Sequence, residues 1–500
     1  MQTGALFERA SRPDPGIIDI GDRKQHFLDD LLVDEASRIS RYMNRPTKCA
    51  DNPIMTADFP WEQGTYASSR LVQNSGVEIV GQTVLYDEEE QVFKMWYVPW
   101  ALDRGRRPWC YATSADGYHW ERPELGLIEF AGSTANNLLG IHGEPSYYNT
   151  FKDSRDPDPQ RRYKATGEMH GPAGHAPPGG IVNAYSPDGI HWTYNNKAVV
   201  FYGPDVADAP SVLGWDPKRE KYVGYFRPGH QLAYEIDGIG HHRHIRTVGY
   251  AESDDYDNWT PTRIMLAPDY RDRVDTQFQY FTAGFCGEFY VGFLMVHTTH
   301  DQVWDVFLLS SRDGFHWTWI DRHQPFLGRG EVGSYDGGYL MPSGPITHDG
   351  QIWIYYTGFS AAHSGNPSKL GNENVMTICL ATLPEDHWAG LLAGPDQARI
   401  TTRPVIFTGH RLLIDIEASI PQSVPKEVMG FDECEVRAAL ADESGAPIEG
   451  FSFDRSNSVL ESGIHEIHWE GVDLSRLQGE PVRLRLEMRS ACLFSIQFTE

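Results

Sequence analysis

One phrase of seven residues recurs along the chain and limits what it can fold into. It reads S-A-D-G-Y-H-W at Ser114–Trp120, S-P-D-G-I-H-W at Ser186–Trp192 and S-R-D-G-F-H-W at Ser311–Trp317. A degenerate copy, S-D-D-Y-D-N-W, spans Ser253–Trp259. Each copy follows a short apolar or aromatic run, such as Trp109-Cys110-Tyr111-Ala112 or Val306-Phe307-Leu308-Leu309. Repetition at a spacing of tens of residues means that one supersecondary unit is reused. An Asp-Gly pair between two strand-like runs is a hairpin turn, with Gly supplying positive φ. The phrase therefore predicts the turn between the last two strands of a repeated antiparallel sheet. Its Trp is expected to pack between neighbouring sheets. The phrase speaks for architecture, and chemistry has to be sought elsewhere.

Cutting the chain after each phrase gives five comparable units. They carry strand-like runs at Tyr66–Val72, Thr83–Asp87 and Phe93–Val98; at Tyr147–Phe151 and Arg162–Thr166; at Ser211–Asp216 and Tyr222–Phe226; at Phe278–Phe285 and Phe289–Val296; and at Tyr339–Thr347, Ile352–Gly358 and Val375–Leu383. Asp386-His387-Trp388 reads as a worn fifth copy of the turn. Five four-stranded antiparallel units in series predict an all-β chain with a five-bladed β-propeller over residues 61–400. Residues 1–60 are read as an N-terminal segment, with Arg23–Val33 supplying a strand that closes the ring. From 401 to 500 the texture changes to short alternating strands, Leu412–Ile416, Cys434–Leu440, Ile464–Trp469, Val482–Met488 and Phe494–Phe498, which predict a C-terminal β-sandwich.

Composition narrows the function classes. A net charge of −26 argues against nucleic acid or an anionic membrane as partner, because the phosphate field repels such a chain. Six scattered cysteines form no C-x-x-C pair, which speaks against a zinc knuckle and suits free thiols in a reducing compartment. The N-terminus lacks a basic start followed by an apolar stretch, and no run approaches 18 apolar residues. The expectation is a cytoplasmic protein with no membrane partner, the homo-oligomer question left open.

A five-bladed propeller followed by a β-sandwich resembles glycoside hydrolase families 32 and 68 and, more loosely, family 43. The residues that carry the likeness are the blade phrase and the C-terminal D-x-x-G-x-P-I-x-G-F of Asp442, Gly445, Pro447, Ile448, Gly450 and Phe451. The phrase also resembles the Asp-box of sialidases, one residue shorter. The W-M-N-D-P-N-G signature of family 32 is absent. The resemblance implies a glycosidase acting on a small carbohydrate without an added cofactor, with carboxylates at the channel mouth where the innermost strands begin. Hydrolysis of a glycoside needs an acid and a nucleophile or base. Asp208, Asp275 and Asp336 stand at those strand entrances, and Glu62 is the best further acid. Trp61, Arg227, His170, Tyr280, His297 and His363 fall at comparable strand ends or loops, as candidates for sugar binding. His297-x-x-His300 with Asp305 raises a metal site, but the helical H-E-x-x-H spacing is missing, and no metal is expected. The loops Gly171–Gly180 and Gly229–His244 are long insertions expected to wall the pocket and favour exo action on a short glycan end, and the resemblance implies a terminal furanoside as substrate. Two alternatives remain. One is a glycoside phosphorylase resembling family 130, with Arg227, Arg243 and Arg246 lining a phosphate pocket. The other is a non-catalytic carbohydrate-binding propeller.

Overall fold

The computed structural model describes residues 16–64, 66–67, 73–100, 107–142, 146–169, 180–201, 210–228, 231–236, 239–363, 373–418 and 434–500. The chain is all-β: among the described residues the only helical segments are three single 3-10 turns. It divides into two units. The repeat unit comprises Pro46–Gly284 and Val291–Leu383, and the sandwich unit comprises Met1–Arg45, Phe285–Tyr290 and Pro384–Glu500.

In the repeat unit the strands group into antiparallel arrays in chain order; the second and third are separate four-stranded sheets, while the fourth, fifth and first run on as one fifteen-stranded sheet through parallel pairings, Trp304 with Tyr339 and Glu373–Met376 with Gln73–Gly76. The second sheet is Ser146–Lys152, Tyr163–Met169, Gly180–Ser186 and Thr193–Phe201; the third is Ser211–Asp216, Lys221–Phe226, Val248–Ser253 and Arg263–Leu266. The first runs from Gln73–Glu78 and Val84–Asp87 through Val92–Pro99 and Arg107–Ser114 to Leu138–His142. The fourth is Thr276–Cys286, Phe289–Thr298, Val303–Ser311 and Thr318–Trp319. The fifth holds Tyr339–Pro342 and Ile346–His348 as a broken inner strand, then Gln351–Phe359, Glu373–Pro384 and finally Thr47–Lys48. The fifth sheet meets the first by parallel pairing of Glu373–Met376 with Gln73–Gly76. Gly76 permits that approach: it has φ +109°, and a Cβ there would lie 2.1 Å from the Met376 carbonyl oxygen.

The recurring phrase is the expected turn, and its chemistry is self-contained. At Ser114–Trp120 the Ser114 hydroxyl accepts from the Gly117 amide at 2.8 Å. Asp116 Oδ1 accepts from the amides of Tyr118 and His119, and its Oδ2 pairs with His119 Nδ1 at 2.8 Å. The Trp120 indole closes the turn on the Gly117 carbonyl. The copies at Ser186 and Ser311 repeat these bonds. The degenerate copy keeps them with two replacements: Tyr256 takes φ +69° in place of glycine, and Asn258 replaces histidine on Asp255. Such Asx and Ser turns satisfy backbone donors that no sheet partner reaches.

Each turn is also latched to the preceding sheet. The carbonyl of Gly189 accepts from the Trp96 indole at 2.8 Å, that of Tyr256 from the Asn183 amide at 2.6 Å and that of Gly314 from the Tyr225 hydroxyl at 3.1 Å. The first turn, at Gly117, is held by Tyr355 of the fifth sheet at 2.9 Å. The phrase glycines have to be small as well as flexible: a Cβ on Gly189 would lie 2.8 Å from the Trp96 ring. A second recurring device sits on the earlier hairpin of the first two sheets. Asp87 binds Lys94, Lys152 and Tyr163, and Asp153 binds Lys164 and Tyr222, all inside the protein.

The sandwich unit has two six-stranded sheets around one apolar core that includes Ile20, Ile400, Phe407, Leu412, Val436, Leu484 and Phe498. The N-terminal segment belongs here. Gln25–His26 pairs with Ala491–Thr499, and Val33–Ser37 pairs with Ala398–Thr402. Arg23–Val33 therefore closes no ring; the short strand added to the fifth sheet is Thr47–Lys48, against Ala381 and Thr382. Asp386-His387-Trp388 lies in the turn between Glu373–Pro384 and Ala389–Ala393, with Asp386 at φ +64° and its carboxylate on Lys24.

Candidate active site

The inner strands of the repeat unit meet around a polar cluster. Asn149 Oδ1 accepts from the Gln82 amide at 2.8 Å and from Val212, while its amide nitrogen donates to the Pro210 carbonyl. Gln82 Nε2 donates to the Ala283 carbonyl at 2.7 Å, and the Tyr280 hydroxyl donates to Pro210. Gly81 bridges to Ser343. One cluster thus ties together inner strands from along the whole repeat unit. Gly81 is required there: φ is +70°, and a Cβ would fall 2.2 Å from Asn149 Oδ1.

At the end where the inner strands start, charged and imidazole groups gather. Asp275 immediately precedes Thr276–Cys286; its side chain is 17% exposed and pairs with Arg273 at 3.1 Å, a residue that is itself largely exposed. His297 stands near the end of the antiparallel partner Phe289–Thr298, and His363 follows Gln351–Phe359. The two rings are 6.0 Å apart, centre to centre, and both flank Trp304. Arg227 follows Lys221–Phe226, and Arg246 precedes Val248–Ser253. Between these two arginines a hairpin, Gln231–Ile236 with Ile239–His244, is inserted into the third sheet, so its root brings both cations together. Arg227 donates to the Gln279 carbonyl at 3.0 Å, and Arg246 to Gln277 Oε1 at 2.7 Å.

The electrostatics follow from this crowding. Burial, then His363, Arg246 and Arg227, push the His297 pKa down to about 3, with Asp275 opposing. Burial and the same arginines push His363 down to about 4. Both imidazoles are neutral at neutral pH, each with one donor and one acceptor. His297 is buried, and neither ring nitrogen has a hydrogen-bond partner among the described residues. Orphaned buried polar atoms are rare in folded proteins, which marks this ring among the described residues.

The other residues singled out from the sequence fall in three groups. Asp208 and His170 lie outside the described residues. Tyr280 belongs to the polar cluster, and Trp61 donates to Asn137 and stacks on Phe59 at 5.0 Å, so both are packing residues. Glu62 and Asp336 are buried acids, each with several partners inside the protein. Glu62 accepts from Arg122, from Tyr97 and from the amides of Asp58 and Phe59. Asp336 pairs with Lys48 at 2.6 Å and accepts from Tyr356 and Ser334. Among the described residues neither shares a partner with Asp275. Asp305 is likewise taken, by Arg329.

A further buried acid, not among those the sequence singles out, is Glu78. It ends the inner strand Gln73–Glu78, is 6% exposed and accepts from the Trp100 indole. Its charge, after burial, raises the pKa of Tyr339, whose ring lies 3.9 Å from Trp304 and 5.8 Å from His363. The sequence signal was its place a few residues before Gly81, on a stretch too polar to read as a strand.

No family model matches the chain, and no curated protein does. Solved structures are similar at low identity. One is from the GH130 family of mannoside phosphorylases, described as containing glycoside hydrolases that target β-1,2 mannosidic linkages in Candida mannan: 13% identity over 69% of this chain and 94% of that one, TM-score 0.42. A glycosyl hydrolase from Bacteroides ovatus gives the same four values. A thermostable family-43 glycoside hydrolase is 12% identical over 63% of this chain and 93% of that one, TM-score 0.42. At these scores the likenesses carry no argument, and the reading below rests on this chain's own residues.

Proposed function

We propose that the repeat unit is a five-bladed propeller enzyme that cleaves a glycosidic bond at the end of a small carbohydrate. The observation that supports this best is the gathering of Asp275, His297, His363, Arg227 and Arg246 at one end of the inner strands, above the Asn149 cluster. Support for five blades comes from the latches, which run from the fifth sheet to the first as they do between consecutive sheets. Asp275 and Glu78, with Asp208 just ahead of the third inner strand, supply the acid and the nucleophile or base that glycoside cleavage needs. The neutral imidazoles take sugar hydroxyls, and the aromatic wall of Trp304 and Tyr339 borders them. A terminal furanoside, cleaved by exo action, is the substrate class assigned. Because the acids and imidazoles occur once and not in every sheet, a lectin with one site per blade fits poorly.

A second reading has one specific observation behind it. Two arginines beside two neutral imidazoles form a cationic wall suited to inorganic phosphate, which is what phosphorolysis requires. Incubating the protein with aryl furanosides and fructans, with and without phosphate, separates the two. Free sugar released equally in both conditions supports the hydrolase. Sugar 1-phosphate formed only with phosphate moves the protein to the phosphorylase reading. No release in either condition, with the terminal furanosides and with mannosides, sinks both.

A further inference from the structure

We propose that His26, Cys286 and Asp386 of the sandwich unit form a binding site for a borderline-soft divalent metal ion, zinc above all. The three residues come from remote parts of the chain: the strand Gln25–His26, the hairpin tip Phe285–Tyr290 and the segment after Glu373–Pro384. One ligand atom of each lies within 4.8 Å of the other two. His26 Nε2 is 3.0 Å from Asp386 Oδ1, and Cys286 Sγ is 4.0 Å from the same oxygen. Ligands around a tetrahedral zinc, bonded at about 2.0–2.3 Å, stand roughly 3.3–3.8 Å from one another. The observed separations bracket that range, so small side-chain shifts complete the site.

Three further observations point to an ion and not to a plain hydrogen-bonded cluster. His26 is 2% exposed, and neither of its ring nitrogens makes a hydrogen bond of acceptable geometry, although Nε2 faces Asp386. Two ligands of a common ion sit close in just this way, without one donating to the other. Lys24 binds the other carboxylate oxygen, Oδ2, at 2.7 Å, which fixes the Asp386 carboxylate and leaves Oδ1 for the metal. Gly287, with φ +52°, lets the hairpin tip come up to the imidazole: a Cβ there would lie 3.2 Å from His26 Cε1. A nitrogen, a thiolate and a carboxylate oxygen are a donor set for zinc, not for calcium or magnesium. Binding converts the Cys286 thiol to thiolate, its proton passing to solvent, and leaves a fourth position for water. The ion would clip together segments 260 and 100 residues apart, so its effect is on stability. The site stands on the sandwich unit alone and is independent of the glycosidase reading.

Cobalt(II) reports thiolate ligation by charge-transfer absorption in the near ultraviolet. Titration of the metal-stripped protein with cobalt is expected to give that band at one equivalent, and zinc should abolish it and raise the thermal midpoint. Cys286→Ser should remove the band. His26→Gln and Asp386→Asn should each weaken binding at least about 10²-fold, and they carry the test if the serine variant fails to fold. Absence of the band in the parent protein overturns the proposal. A band that survives His26→Gln and Asp386→Asn also overturns it, because the thiolate would then belong to another of the six cysteines.

Discussion

The two ends of the repeat unit are built on opposite plans. At one end the turns repeat: Ser, Asp, Gly, His and Trp make the same bonds in copy after copy, and the same carbonyl accepts a latch from the neighbouring sheet. At the other end nothing repeats. Asp275, Glu78, Arg227, Arg246, His297 and His363 come from different sheets and from non-equivalent strands. A feature needed by every sheet for folding appears in every sheet. A feature needed once, by a ligand, appears once. Repeated residues are therefore the ones to test for stability, and unrepeated residues the ones to test for chemistry.

The largest expected effect lies at the unrepeated end. Asp275→Asn keeps the shape of the side chain but can neither shuttle a proton nor attack, and Glu78→Gln does the same for the second acid. Turnover on the substrate identified as above should fall about 10²–10⁴-fold in each, with the thermal midpoint within a few degrees of the parent. Near-parent turnover in both would make the two carboxylates structural and erase the contrast. Asp336→Asn is the matched control: it removes the partner of Lys48 and should lower stability, with turnover per folded molecule unchanged.

Next comes the repeated hairpin pair. Lys164 is fully buried and reaches Asp153, Asp156 and the Arg161 carbonyl. Lys164→Met leaves the buried Asp153 carboxylate without its cation, a loss of about 3–5 kcal/mol, measured by urea unfolding. A smaller change follows from Gly189→Ala. With φ +80° and the Trp96 ring 2.8 Å from the new Cβ, the turn is strained and the latch displaced, at a cost of about 1–3 kcal/mol. If either variant abolished turnover while folding normally, the division between the two ends would fail.

The two plans also explain what the sequence makes legible. The repeated end is read almost directly: Ser211–Asp216 is a strand with the expected bounds, and Phe289–Val296 lengthens only to Phe289–Thr298. That Asp275, Arg227, His297 and His363 fall at one end of their sheets is legible because strand entrances and exits mark that end. Glu62 and Asp336 occupy equally suggestive positions, yet their partners, Arg122 and Lys48, lie 60 and 288 residues away, and no period reveals such pairs. Glu78 is missed for the converse reason: its stretch, Gln73–Glu78, lacks the apolar alternation of a strand and gains its place through parallel pairing with Glu373–Met376. The N-terminal strands are illegible too, being two to five residues long with partners more than 350 residues later.

The smallest effect is also the one that separates the two ends without any substrate. Folding takes the His297 pKa from 6.5 to about 3. Below pH 6.5 the unfolded chain therefore binds a proton that the native pocket refuses, so stability is full above that value and is lost as pH falls toward 3. The turn aspartates act later. Hydrogen bonds from the His191 and His316 amides and rings, against the opposing effect of burial, hold Asp188 and Asp313 at about 2 against 3.8 unfolded. Their contribution is present above pH 3.8 and is lost only as pH falls toward 2. The turn histidine His119, raised by Asp116, acts at and above its ordinary value of 6.5, so unfolding midpoints measured between pH 5.5 and 4.5 should report chiefly His297 and His363. His297→Gln should flatten that stretch of the curve, by less than about 1.4 kcal/mol per pH unit, while Asp188→Asn should leave its slope unchanged. The reverse pattern, a slope removed by the turn variant and untouched by His297→Gln, would mean that the imidazole is not neutral in the folded pocket and that its place beside Arg227 and Arg246 has been misread.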